Sequence, residues 1–401
     1  MTIPAVIALL TAVAIASGAA RAPSSTQTRL KTYKSRAYTI YSNLPIRQAK
    51  VFANHMDGIF REYKKRFENF GPDLGKPMPL YLFETQGQYI SYMRDRGVNA
   101  QNTGGMFILT PLIQGLATWT SGRSRMETFS VLQHEGFHQF ALSHIGPNIS
   151  AWANEGLAQY FEDGLVVRQQ FKLGLVNADR IATVRAALQN GTAMEFDDLL
   201  MMSNDDWHDI VTSGSARAEL LYHQSWSMVY FLISHDRRKA AFVRYLRLLR
   251  DGASNKAALE QAFGGADRKR FAQAWKEFAL EQEPDTVTTT LHRLEFLGQG
   301  LRFLREKYDV TPGTMHELRT KLQQINFRTI RSGHGYQVVM SATDDSMFRF
   351  PRRSGAPGKF RLYRPQQTGL LPRISAPGQN PEPTLIWSSI NGQLIHDVVL
   401  R

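Results

Sequence analysis

Apolar residues recur at helical spacing from Pro45 to Phe70, at Ile46, Ala49, Val51, Phe52, Met56, Ile59, Phe60, Tyr63 and Phe67. This long amphipathic helix, expected to stop at Gly71-Pro72, follows an alternating stretch, Arg36–Tyr41, that predicts a strand. Met78–Phe83 reads as a second strand and Gln88–Arg94 as a short helix ending near Gly97. Met106–Thr110 and Leu112–Thr120 predict two strands around Pro111. A helix over Ser124–His144 then stops at Gly146-Pro147. The order strand, helix, strand, helix, strands, helix predicts an α+β unit in which the last helix packs beside a small mixed sheet.

Downstream the periodicity is almost wholly helical, over Ser150–Phe161, Ala178–Leu188, Ala216–Ser234, Arg238–Leu249, Lys256–Phe263 and Arg268–Leu280. Glu281–Pro284 reads as a boundary, followed by a helical pair, Thr288–Tyr308 and Thr314–Ile325, about the Thr311-Pro312-Gly313 turn. From Phe327 the pattern turns to strands: Tyr336–Ser341, Met347–Phe350, and a hairpin of Thr384–Ile390 with Gln393–Leu400 about Asn391-Gly392. Residues 351–383, rich in Pro, Gly and Arg, are expected to form an extended loop. Three segments result: an N-terminal leader over 1–22, a first domain over 36–285, and a C-terminal helical and β extension over 286–401.

The motif helix carries the chemistry. It contains His134-Glu135-Gly136-Phe137-His138, and Glu155 follows in Trp152-Ala153-Asn154-Glu155-Gly156-Leu157-Ala158. Histidines at i and i+4 leave one face of a helix close enough to share a metal ion. Glu155, opening the next apolar helix, is expected to return as the third ligand, leaving a fourth position for water. Two neutral imidazoles and one carboxylate suit Zn2+, one ion per chain. Glu135 is expected to take a proton from the water that the ion activates. Asn154, Glu162 and Asp163 are candidates to orient the ligand imidazoles, with capping or surface roles the alternative.

Composition narrows the setting. The absence of cysteine excludes disulfides, thiolate zinc sites and a cysteine nucleophile. Ile3–Ala16 is apolar but short, and small residues follow it, the outline of an export signal cleaved after Ala20 or Ala22. The expected location is periplasmic or secreted, with an N-terminal membrane anchor as the alternative. Net charge is +13, and residues 286–401 hold 16 Lys and Arg against 8 Asp and Glu. That surplus suits an anionic envelope or membrane surface. No nucleic-acid-reading motif accompanies it, so no nucleic-acid partner is expected.

The two histidines with Glu135, and a later Glu in an Asn-Glu-Gly-Leu-Ala setting, resemble the gluzincin metallopeptidases. The likeness is to the peptidase MA-like branch with the aminopeptidase N relatives, over roughly residues 36–285. The resemblance implies a thermolysin-like catalytic domain, a peptide or protein substrate, and a Tyr in a later helix that supports the oxyanion. Tyr222, in Leu221-Tyr222-His223-Gln224, is the matching position, and His223 beside it is the rival donor. The aminopeptidases also carry a Gly-x-Met-Glu-Asn strand whose Glu grips the substrate amine. Here Gly104-Gly105-Met106 is followed by Phe107 and Ile108, so that anchor is missing. The expected activity is therefore an exported zinc endopeptidase. A binding or scaffold protein on the same fold, or a zinc hydrolase of a non-peptide substrate, is the alternative.

Overall fold

The computed structural model of the chain describes residues 29–70, 76–101, 103–167, 170–213, 216–333, 336–365, 367–390 and 392–400. The apolar leader with its cleavage points, the Gly71-Pro72 stop and Asn391 of the expected turn lie outside the described residues. The fold is α+β. Among the described residues no helix is long and apolar enough to cross a membrane.

Two compact units divide the chain. The first comprises residues up to Arg123, Thr128–Gly164 and Thr183–Glu281. Its sheet is built from β1 (Lys31–Lys34), β2 (Tyr38–Ser42), β3 (Met78–Phe83), β4 (Gly105–Leu109) and β5 (Gln114–Trp119). The strand order is β1-β2-β3-β5-β4. β2 and β5 run parallel to β3, whereas β1 and β4 close the two edges antiparallel. β4 is therefore an edge strand, with no sheet partner on its outer side among the described residues.

Helices α1 (Ile46–Arg66), α2 (Gln86–Arg94), α3 (Arg125–His144) and α4 (Ala151–Glu162) complete the first half of the chain. α1 turns Ala49, Phe52, Ala53, Met56, Ile59 and Tyr63 inward, one face of a 3.6-residue repeat. A 3-10 turn over Glu68–Phe70 follows it, where the pattern alone extended the helix. Tyr63 meets Phe137, Phe140 and Phe161 edge-on or tilted at 4.7–5.7 Å, and its hydroxyl donates to the Gln133 carbonyl at 2.5 Å. The first helix thus grips the motif helix through an aromatic cluster. α2 opens with a Thr85–Gln88 capping box.

The rest of this unit is helical: α5 (Ala178–Gln189) from Thr183 on, α6 (Phe196–Met201), α7 (Asn204–Thr212), α8 (Ala216–Ile233), α9 (Asp236–Arg250), α10 (Asn255–Phe263) and α11 (Gly265–Glu281). α6 and α7 were not legible as helices because α6 is too short to repeat its apolar face and α7 buries Trp207 alone. α8 packs along α4.

The second unit joins Ser124–Glu127 and Leu165–Ala182 to Gln282–Arg401. It holds the small ribbon β6 (Leu165–Val167) with β7 (Gln170–Lys172), then α12 (Thr286–Tyr308) and α13 (Met315–Gln324). β8 (Arg328–Gly333) pairs with β9 (Tyr336–Ser341), and β10 (Arg349–Phe350) with β11 (Gly358–Lys359). β12 (Arg361–Tyr363), β13 (Arg373–Ser375), β14 (Pro383–Ile390) and β15 (Gln393–Leu400) form an antiparallel sheet in that order. Residues 351–383 are thus not one extended loop, because three short strands within them pair with neighbours. Met347 and Phe348 lie in a 3-10 turn over Asp345–Phe348, so the strand expected there shrinks to β10.

α12 lies on this sheet, where Gly298 removes the side chain that would meet His396 and Leu385 at 2.9 Å. Beneath it Glu295 and His396 form a buried pair at 2.8 Å, and Asp397 binds Arg125 at 2.8 Å. Burial, partly offset by Arg125, raises the Asp397 carboxyl above its ordinary range.

His55 on α1 stacks on Phe129 at 3.6 Å and its Nε2 meets Gln133 Oε1 at 2.8 Å. Burial lowers its pKa from 6.5 to about 4. The folded protein therefore binds fewer protons at this site than the unfolded chain between those values. The stability it protects is whole above pH 6.5 and is lost as pH falls toward 4, by roughly 3 kcal/mol in total. Urea unfolding of wild type and His55→Gln from pH 7 to pH 4 is expected to show a shallower acid loss in the variant, whatever its stability at pH 7.

Candidate metal centre

α3 and α4 bring the predicted ligands together. His134, His138 and Glu155 offer ligand atoms that all lie within 4.8 Å of one another. His134 Nε2 stands 3.3 Å and His138 Nε2 3.6 Å from Glu155 Oε2. Ligand atoms bonded at about 2.0–2.1 Å around a tetrahedral ion stand about 3.3–3.4 Å apart, so the two histidine-to-carboxylate distances are close to those of one coordination shell. Two imidazole nitrogens and a carboxylate oxygen also fit a borderline divalent ion by donor type. The group could hold a metal ion.

The other ring nitrogens fix which nitrogen faces inward. His134 Nδ1 lies 3.0 Å from Glu162 Oε2, and His138 Nδ1 lies 3.1 Å from Asn154 Oδ1. An acceptor at Nδ1 keeps the proton there and turns the Nε2 lone pair toward the shared centre. Both partners, like Glu155, come from α4. Asp163, the third candidate for this role, is the C-cap residue of that helix. Burial lowers the His138 pKa while Glu155 opposes the shift, which favours the neutral ring a metal requires.

Two glycines within the motifs allow this approach. A Cβ on Gly136 would meet Met56 Cε at 2.8 Å and the Tyr63 hydroxyl at 3.2 Å, both on α1. One on Gly156 would meet the Ser225 carbonyl at 2.5 Å and Val229 Cγ2 at 2.6 Å, both on α8. Gln133 fastens the far end of α4, its amide nitrogen reaching the carbonyls of Phe161, Glu162 and Gly164 at 2.6–3.1 Å. Sequence reasoning gave no role to Gly136, Gly156 or Gln133, because each role depends on which element crosses there.

Glu135 is buried between the two histidines in sequence, and its Oε2 accepts the backbone N–H of Phe107 at 2.7 Å. Tyr222 on α8 is buried, with the edge of Trp207 against it at 5.5 Å between ring centroids. Burial first, then the charges of Glu155, Glu135 and Glu162, push its pKa well above the ordinary range. The phenol stays protonated and faces the field of the same carboxylates. His223, the rival donor, is also buried.

Residues 128–257 match the model of a family described as a protein of unknown function, DUF1570. That stretch is about a third of the chain and includes both histidines, Glu135, Glu155 and Tyr222. No curated protein and no solved structure matches the chain.

Metal analysis of the purified protein is expected to give one tightly held ion per chain, with chelation lowering the melting temperature. His134→Ala, His138→Ala and Glu155→Ala should each abolish the tight site. Glu162→Gln should only weaken it, by about ten- to a hundredfold, since it removes the charge behind one ligand. Full occupancy in the three ligand variants would show that these residues do not form the site.

Proposed function

We propose that the chain is an exported zinc metallopeptidase of the gluzincin type, with a thermolysin-like catalytic unit and endopeptidase action. The observation that carries this reading is the 3.3 and 3.6 Å spacing of the two Nε2 atoms about Glu155 Oε2, with Glu135 in the turn between the histidines. A mixed sheet with an antiparallel edge strand, and the ligands divided between two helices, also suit it. The intact Glu135 favours a hydrolase over a scaffold, since metal holding alone needs no neighbouring base.

A bound zinc ion supplies Lewis acidity, polarising the scissile carbonyl and making a water acidic at neutral pH. The remaining work falls to the chain. His134, His138 and Glu155 would hold the ion. Glu135 accepts the proton of the attacking water and passes it to the leaving nitrogen. Tyr222 donates its phenol hydrogen to the developing oxyanion, a role open to it because the group stays protonated. Phe107 stands where the resembling aminopeptidases place an amine-binding Glu, and for that reason the substrate is an internal segment of a polypeptide.

Glu135→Gln is expected to keep the metal yet lose cleavage of casein. Tyr222→Phe should lower kcat about a hundredfold with little change in KM, because its hydrogen bond forms mainly in the transition state. An active Glu135→Gln variant overturns the reading. A silent Tyr222→Phe beside a crippled His223→Ala would move the oxyanion role to His223.

The same reading includes an anionic membrane or envelope surface as a partner. Arg352, Arg353, Lys359, Arg361 and Arg364 are all exposed in a region carrying a surplus of +8. Exposed charges are screened over about 8 Å at physiological ionic strength. Retention on vesicles containing phosphatidylglycerol should therefore fall steeply with salt, and neutralising these five residues should abolish it. Salt-independent retention would assign binding to apolar contact instead.

A further inference from the structure

The edge strand β4 does more at the site than border it. In an antiparallel pair only alternate residues bond to the partner strand, and the others direct N–H and C=O outward. β4 is the last strand of its sheet, so an outward amide there has no strand to receive it. The Phe107 amide, opposite Leu116 in the register, instead donates to Glu135 Oε2 at 2.7 Å. A bond from an N–H to a buried carboxylate is among the stronger hydrogen bonds.

The approach of strand to helix is matched in step. A Cβ on Gly105 would stand 2.6 Å from Val131 Cγ1 on α3 and 3.0 Å from the Ala117 carbonyl and Thr118 Cβ on β5, so the missing side chain lets β4 lie against α3 at Val131. Two residues along β4, from Gly105 to Phe107, advance about 6.7 Å. Four residues along α3, from Val131 to Glu135, advance about 6 Å. Contact at the first pair therefore carries the Phe107 amide to the Glu135 carboxylate. The match places one carboxylate oxygen of Glu135 on the amide.

We infer that the backbone amide of Phe107 is the positioning group of Glu135, and that Gly105 is the residue that lets β4 deliver it. The inference rests on the reading of Glu135 as the base.

Phe107→Pro removes the amide hydrogen and sets the ring Cδ in its place against Glu135, while Phe107→Ala removes the ring and keeps the amide. Phe107→Pro is expected to lower kcat on casein-derived peptides about ten- to a hundredfold, with KM and zinc content nearly unchanged. Phe107→Ala should keep kcat within a few fold. Gly105→Ala should mimic the proline variant by moving β4 off α3, and adding Val131→Ala should recover part of the loss, since the contacts with Ala117 and Thr118 on β5 remain. This pair serves if Phe107→Pro does not fold.

A second measurement needs no turnover. Amide hydrogen exchange at Phe107 should be slow in the metal-free and zinc-loaded wild type, and at least tenfold faster in Glu135→Ala. Equal exchange in wild type and Glu135→Ala overturns the inference, as does unchanged kcat in a folded Phe107→Pro or an unaffected Gly105→Ala. An inactive Glu135→Gln beside such results would leave the base in place and remove only its positioning by β4. An active Glu135→Gln would instead remove the base itself.

Discussion

The centre depends on one helix holding two rings that belong to another. α4 supplies Glu155, which faces both Nε2 atoms, and also Asn154 and Glu162, which hold the Nδ1 atoms of His138 and His134. Rotation or sliding of α4 would therefore lose a ligand and both ring orientations at once. Buried imidazoles and carboxylates are costly unless paired, so the arrangement is stable only when every member finds its partner. A metal ion in their midst would remove the remaining cost, which is why this constellation reads as a site and not as ordinary core.

The surrounding unit keeps α4 from moving. Gly156 lets it close onto α8, and the Gln133 amide ties its C-terminal carbonyls to α3. α3 is held in turn by α1, through Gly136 and the Tyr63 aromatic cluster. These contacts use backbone approach and aromatic area, neither of which tolerates small displacements. β4 adds the Phe107 amide at Glu135, so sheet and helices meet at the same carboxylate.

Electrostatics divide the roles among the acids. Glu155 faces the histidines, Glu162 stands behind one of them, and Glu135 turns to the edge strand. Their combined field, together with burial, keeps the Tyr222 phenol protonated. The second unit carries its own buried set, Glu295 with His396 and Arg125 with Asp397. No side chain of that set is a candidate ligand. The set binds α12 and β15 to Ser124–Glu127, the short segment that opens α3.

The sequence by itself determined what local spacing dictates. Histidines at i and i+4 share a helix face wherever that helix lies, so the grouping of His134 with His138 was legible, as was Glu155 opening the next apolar helix. Long helices and the β3, β9, β14 and β15 strands were legible because their apolar positions repeat often enough to show a period. Tertiary structure alone decided the rest. The short α6 and α7, the ribbon β6–β7, and β11, β12 and β13 repeat too little, and take their form from neighbours. Which of Asn154, Glu162 and Asp163 meets a ring depends on how two helices cross. Gly136, Gly156 and Gly105 matter through what approaches them from distant positions in the chain. The Phe107 amide leaves no trace in the side-chain pattern, because every residue but proline has one and only the fold decides what it meets.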